Sequence, residues 1–234
     1  MPKTFVLVHG AWHGGWCWRH VADRLEAQGH KVFTPTMTGL GERSHLMAPG
    51  IGLSTHITDI VNVLAWEQLR DVVLCGHSYG GMIISGVAER AREAIGSIVY
   101  LDAFVPDNGE SVLDLTGPAV HEAVRKAQAK NLIGVPPRPA EAFGIYEKNR
   151  AWVDSQCTPQ PIATFTEKSA VTGALQTIGK KSYIRAGTYP SPGFDKAMAR
   201  TKADPTWRVY DAPCGHDVMV DEPEWLAKIL VEVA

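Results

Sequence analysis

Residues 71–75, Asp71-Val72-Val73-Leu74-Cys75, are a short apolar run that leads straight into Gly76-His77-Ser78-Tyr79-Gly80. Gly81-Met82-Ile83-Ile84-Ser85-Gly86-Val87-Ala88-Glu89-Arg90 follows, with helical character. A buried strand, a G-x-S-x-G turn and a helix in succession leave few folds open. The serine must sit on a sharp strand-to-helix turn, strained, with its Oγ exposed above a sheet. Flanking glycines let strand and helix approach where a Cβ would clash. Glycine and serine also cluster in ordinary loops, so the five letters alone say little. The strand before them and the helix after them make Ser78 a nucleophile candidate.

Apolar runs recur along the chain. Phe5–Val8, Lys31–Thr34, Asp71–Cys75, Ile98–Leu101, Ser182–Arg185 and Trp207–Tyr210 are predicted strands. Helices are expected near 16–28, 55–68, 79–92 and 194–202, and from Pro223 onward. This alternation implies an α/β fold: a mostly parallel sheet of about six strands with helices on both faces. Residues 106–170 break the rhythm. They hold Pro136, Pro137, Pro139, Pro159 and Pro161 and no clear strand, with short helices expected near 110–130 and 139–150. Phe143, Tyr146, Trp152, Ile162 and Phe165 are too much apolar surface for a disordered linker. The expectation is one domain, with a core at 1–105 and 171–234 and a helical cap inserted at 106–170.

A chain of 234 residues is ample for one large core. Its net charge of -2 gives no electrostatic case for nucleic acid or an anionic membrane. No apolar segment is long enough to span a bilayer, and the N-terminus lacks signal-peptide character. Cys17, Cys75, Cys157 and Cys214 show neither metal-ligand spacing nor a disulfide framework. Reduced thiols in the cytoplasm are the default expectation.

The first strand ends in His9-Gly10-Ala11-Trp12-His13-Gly14-Gly15. Small residues there let backbone N–H groups point into a cavity, as a developing oxyanion requires. Ala11 and Tyr79, the residue after the nucleophile, are the candidate donors. The stretch also suits a glycine-rich strand–helix turn, and phosphate-loop motifs are absent. His216, in Cys214-Gly215-His216-Asp217, follows a strand and precedes the last helix, which suits a base that comes last in the chain. His77 is expected to be structural, while His9 and His13 are candidate pocket residues.

The acid is harder to place. Ile184-Arg185-Ala186-Gly187-Thr188-Tyr189-Pro190, after the strand before the histidine strand, holds no carboxylate. Asp102 ends the strand after the nucleophile's helix and is the preferred acid, with Asp195 the alternative. Asp217 would have to fold back awkwardly, and Asp211 lies within a strand.

These residues resemble an α/β-hydrolase esterase. The stretch from Phe5 to Trp18, the run Gly76–Gly81 and Gly215-His216 are similar to the plant methylesterase and hydroxynitrile lyase group, and Thr38–Ser44 to its bacterial relatives. Plant members carry the acid after the strand that here ends at Gly187. Asp102 matches the alternative placement in haloalkane dehalogenases and some lipases. Hydroxynitrile lyases place a lysine after the histidine to hold cyanide; Asp217 stands there instead, and a carboxylate disfavours cyanide electrostatically. The resemblance implies ester hydrolysis through an acyl-enzyme on Ser78, with no metal or organic cofactor, acting on a small methyl, aryl or carbamate ester. Trp12, Phe104, Trp152 and Phe165 are candidate pocket walls. A cyanohydrin lyase and a non-catalytic ligand receptor are the rival readings. Oligomeric state is not legible.

Overall fold

The computed structural model describes residues 1–234. The first half alternates β1 (Thr4–Val8), α1 (Arg19–Glu26), β2 (Lys31–Phe33), α2 (Leu53–Trp66), β3 (Val72–His77), α3 (Gly80–Arg90) and β4 (Ile95–Leu101). An insertion follows, with α4 (Val112–Leu115), α5 (Pro118–Ala129), β5 (Gly134–Val135), α6 (Glu147–Gln156), β6 (Gln160–Pro161) and α7 (Ala163–Thr166). Then come β7 (Lys180–Ala186), α8 (Pro192–Ala203), β8 (Trp207–Ala212), α9 (Val218–Asp221) and α10 (Pro223–Glu232).

Six strands form one sheet in the order β2-β1-β3-β4-β7-β8, and every pairing is parallel. Successive residues of a strand face opposite sides, yet all six residues of β3 are buried. Both faces are therefore covered, which is why the central strands read as unbroken apolar runs. The helices pack in pairs, α1 against α10 and α2 against α3. The second pair approaches closely at Gly86, where a Cβ would run into the Ile57 side chain.

Strand order reverses beside β1. The loops after β1 and β3 therefore lie next to each other, at the crevice where open parallel sheets bind ligands. That places His9–Gly15 beside Ser78.

The structure departs from the sequence expectations in five places. β4 starts at Ile95, three residues early, because Ser97 is a buried strand residue whose Oγ donates to the Val233 carbonyl at 2.8 Å. The helix expected from Trp16 opens as a 3-10 turn, Gly15–Trp18, before α1. The helix expected at 110–130 splits in two, because Pro118 at the first turn of α5 cannot continue α4. The helix expected at 139–150 is a 3-10 turn, Ala140–Phe143, stopped by Gly144 at φ +71° before α6 begins at Glu147. The insertion also holds an antiparallel pair, β5 with β6, of two residues each. Strands that short leave no readable alternation. No helix is long and apolar enough to cross a membrane.

Candidate active site

Ser78 sits between β3 and α3 at φ +54°, a strained left-handed backbone for a residue with a Cβ. The turn is held from three sides. Ser78 N–H donates to the Leu101 carbonyl at 3.1 Å, and the Ser78 carbonyl accepts from Gly81 N–H at 3.0 Å and Phe104 N–H at 3.2 Å. A Cβ on Gly76 would lie 2.6 Å from the Gly80 carbonyl oxygen, and one on Gly10 would lie 2.9 Å from Ser78 Cβ. Glycine at both positions is thus a steric requirement of the turn.

Ser78 Oγ–H donates to His216 Nε2 at 2.9 Å. His216 Nδ1–H donates to Asp102 Oδ2 at 2.6 Å. An acceptor on Nδ1 fixes the proton there and leaves the Nε2 lone pair facing the serine. The ring is held between aromatic faces: Phe194 stacks at 5.2 Å, Tyr189 at 4.7 Å and Phe143 at 5.7 Å. Its backbone N–H donates to the Phe143 carbonyl at 2.9 Å.

Asp102 is fully buried and sits at φ +42° at the end of β4. Its other oxygen, Oδ1, accepts from Arg185 Nη1 at 2.7 Å and from Ala186 N–H at 3.0 Å. Burial opposes the Arg185 charge, but Asp102 and Asp195 outweigh it and hold the guanidinium above its ordinary pKa. Asp195, the alternative acid, is 62% exposed and accepts from Arg185 rather than from His216. Arg185 was missed at the sequence level. Its one signal is a lone arginine at the end of an otherwise buried strand.

Ala11 and Tyr79 line the same cavity as Ser78, and neither N–H is used by a turn, loop or side-chain acceptor. The two peptides around Ala11 are pinned. His9 Nδ1–H donates to the Gly10 carbonyl at 2.8 Å, and His9 Nε2 accepts from Met37 N–H at 3.0 Å. His13 Nδ1–H donates to the Ala11 carbonyl at 2.7 Å. Trp12 N–H donates to Gln160 Oε1 at 2.9 Å, and its indole N–H to the Val135 carbonyl at 2.9 Å. The antiparallel β5–β6 pair of the insertion thereby braces the loop. His9 and His13 do not line the cavity; both are buried behind the loop. His77 points away from Ser78, and its Nε2–H donates to the His216 carbonyl at 3.1 Å.

The cavity over Ser78 has a volume of about 510 Å³. Trp12, Phe104 and Phe165 line it, together with Phe143, Tyr189 and Phe194. Trp152 does not: it packs edge-on against Trp16 at 5.1 Å and against His20 at 5.7 Å, outside the cavity. The mostly polar helix α6 buries only Val153, so its sequence carries no signal for which layer Trp152 meets.

His77, His216 and Asp217 bring ligand-type atoms within 4.8 Å of one another. Both His216 ring nitrogens are occupied by Ser78 and Asp102, and Asp217 accepts from His13 at 2.7 Å. That donor set does not fit a metal ion.

Three of the buried histidines set a pH limit on the fold. Burial pushes His9 down to about 3, and it also lowers His56 and His77. Each stays neutral in the folded protein while its unfolded form takes a proton below about pH 6.5. The unfolded state then binds more protons, so stability falls as pH falls. His9 alone contributes about 2 kcal/mol of loss at pH 5. His13 is shifted the other way: burial lowers it, but Asp217 outweighs this and raises it, so its contribution is kept in acid and lost as pH rises through the raised value. The expected result is a melting temperature that falls between pH 7 and pH 5, measured by calorimetry. A flat profile there would contradict the burial of three neutral imidazoles.

A doubly covered parallel sheet with a serine elbow, a late histidine and two free N–H groups defines a class of hydrolase. The alpha/beta hydrolase family matches residues 5–229, and the chain belongs to it. It is 44% identical over 237 residues to the carbendazim hydrolyzing esterase of Nocardioides sp. (strain SG-4G), covering 97% of this chain and 98% of that one. It is 38% identical over 129 residues to Methylesterase 1 of Arabidopsis thaliana, covering 49% of this chain and 46% of that one. An extracellular alpha/beta-hydrolase from a Paenibacillus species, described as homologous to tobacco Salicylic Acid Binding Protein 2, superposes with a TM-score of 0.88. That match covers 100% of this chain and 99% of the other at 23% identity, a likeness of fold.

Proposed function

We propose that this protein hydrolyses small carboxylic and carbamic esters through an acyl-enzyme on Ser78. The observation that carries the reading is the continuous relay from Ser78 Oγ to His216 at 2.9 Å and on to Asp102 at 2.6 Å. His216 Nε2 takes the Ser78 proton as Oγ bonds to the carbonyl carbon. The carbonyl electrons move to oxygen, where the Ala11 and Tyr79 N–H groups receive the charge. Collapse expels the alkoxide, which takes the proton from His216 and leaves as alcohol. Water then repeats the sequence, its proton passing to His216, and Ser78 is released with the acid. No step calls on a metal or organic cofactor.

The aromatic cavity walls support a flat, apolar substrate. The extended identity with a carbendazim hydrolyzing esterase supports an aromatic methyl carbamate in particular. The segment 106–170 acts as a cap whose Phe143 and Phe165 close the pocket. Four free cysteines, three of them buried, support a reducing compartment such as the cytoplasm.

The lyase reading loses ground for a different reason from the sequence-level one. Asp217 is buried against His13 and does not line the cavity, so it does not repel cyanide there. What is missing is the lysine directly after His216, a position that Asp217 fills. The test is an assay of carbendazim, methyl benzoate and phenyl acetate. Turnover of at least one, lost in Ser78→Ala, is expected. Cyanide release from mandelonitrile without any ester turnover would favour the lyase.

A further inference from the structure

His13 and Asp217 form a buried ion pair that the relay does not use. His13 is 2% exposed and Asp217 0%. His13 Nε2–H donates to Asp217 Oδ2 at 2.7 Å, and Nδ1–H donates to the Ala11 carbonyl at 2.7 Å. Neither acceptor carries a hydrogen, so both ring nitrogens must be protonated and His13 is an imidazolium. The ring lies flat on Trp16, with centroids 5.2 Å apart and planes 19° apart. Thus one charged ring joins the loop that offers the Ala11 N–H to the segment that carries His216, which Asp217 directly follows.

We infer that the His13–Asp217 pair is a positioning device for the oxyanion donor. The carbonyl that His13 holds belongs to the peptide joining Ala11 to Trp12, and Gln160 holds that peptide's N–H from the other side. With one side of the Ala11 Cα fixed this way and the Gly10 carbonyl fixed by His9, the Ala11 N–H has little freedom to rotate out of the cavity. Trp12 sits at φ +67°, a conformation that needs such restraint. The pair costs desolvation of two charges, which a merely structural role would meet more simply with apolar side chains. A charged donor is a stronger, shorter hold on the carbonyl than a neutral one. Because donor placement matters most when charge develops on the substrate oxygen, loss of the pair should fall on kcat rather than on KM.

This inference rests on the Ser78 reading above. The test uses Asp217→Asn, His13→Gln and the double variant, with phenyl acetate as substrate. In each single variant kcat is expected to fall about 10- to 100-fold with KM changed less than about threefold. Affinity for phenylboronic acid, whose Ser78 adduct carries a tetrahedral anionic centre, should fall in parallel with kcat/KM. The double variant should be no worse than the poorer single, because both residues act through one peptide. It leaves no unpaired charge at positions 13 and 217, so it keeps the test in force if a single variant fails to fold. Ser78 is titrated alongside with diethyl p-nitrophenyl phosphate. If wild type neither labels nor turns over, the Ser78 reading falls and this one with it. If wild type does both, but the variants keep kcat, lose KM and kcat alike, or lose activity additively, this inference alone is overturned.

Discussion

Ser78→Ala is expected to lower kcat by about 10⁴- to 10⁶-fold while leaving the fold and KM nearly unchanged. The size follows from the chemistry. Without Oγ there is no covalent intermediate, and only the two N–H donors and the pocket remain to assist water. The fold survives because Ser78 Oγ makes only the bond to His216, while the turn is held by backbone hydrogen bonds from Gly81 and Phe104. Alanine keeps the Cβ, so the strain at φ +54° is unchanged. Steady-state kinetics on one ester, with a melting curve for each protein, reads this out. A variant within about tenfold of wild type would remove Ser78 from the chemistry.

Asp102→Asn is expected to cost about 10⁴-fold in kcat, with the protein still folded. The surroundings decide which way the new amide points. Arg185 Nη1 and Ala186 N–H both donate to Oδ1, so the amide oxygen must stay on that side. The NH₂ group then faces His216 Nδ1, which is forced to accept. The imidazole proton moves to Nε2, where it meets Ser78 instead of receiving its proton. Raising the pH does not restore a base in that tautomer, so the defect should persist across the profile. Asp195 still pairs with Arg185, which keeps the guanidinium partly compensated and the site folded. Asp195→Asn should stay within a few-fold of wild type, since the carboxylate is exposed and distant from His216's hydrogen bonds. If the two variants exchanged these phenotypes, the acid would be Asp195.

The relay was legible to different depths. Ser78 is announced by local pattern: an apolar strand, two glycines and a helix, all within about twenty residues of chain. His216 follows from chain order and a strand end. Asp102 is legible only by elimination, through the missing carboxylate after β7 and the aspartate that ends β4. The residues that orient these groups were not legible. Arg185 reaches Asp102 across 83 positions, Gln160 reaches Trp12 across 148, and Asp217 reaches His13 across 204. No periodicity encodes a side-chain contact between elements so far apart in the chain. His13 and Asp217 each looked like something else, a pocket residue and an obstacle to cyanide, because a paired charge reads as two single ones in sequence. The insertion misled for the opposite reason. Its helices are broken by Gly117-Pro118 and Gly144, local stops inside stretches whose remaining residues favour helix.

Two buried charged groups therefore stand behind the relay, each on a separate carboxylate. Arg185 secures Asp102, and His13 is secured by Asp217. The arrangement separates two tasks. The first sets the tautomer of His216, and the second sets the Ala11 peptide.

The central claim is that Ser78 attacks the substrate carbonyl and carries the acyl group. It is tested most directly by treating the protein with diethyl p-nitrophenyl phosphate and mapping the product by mass spectrometry. The expected result is one diethylphosphoryl group per chain, on the peptide containing Ser78, with ester hydrolysis lost in proportion to labelling. Full hydrolytic activity in a protein labelled at Ser78, or an active protein that takes no label there, would contradict it.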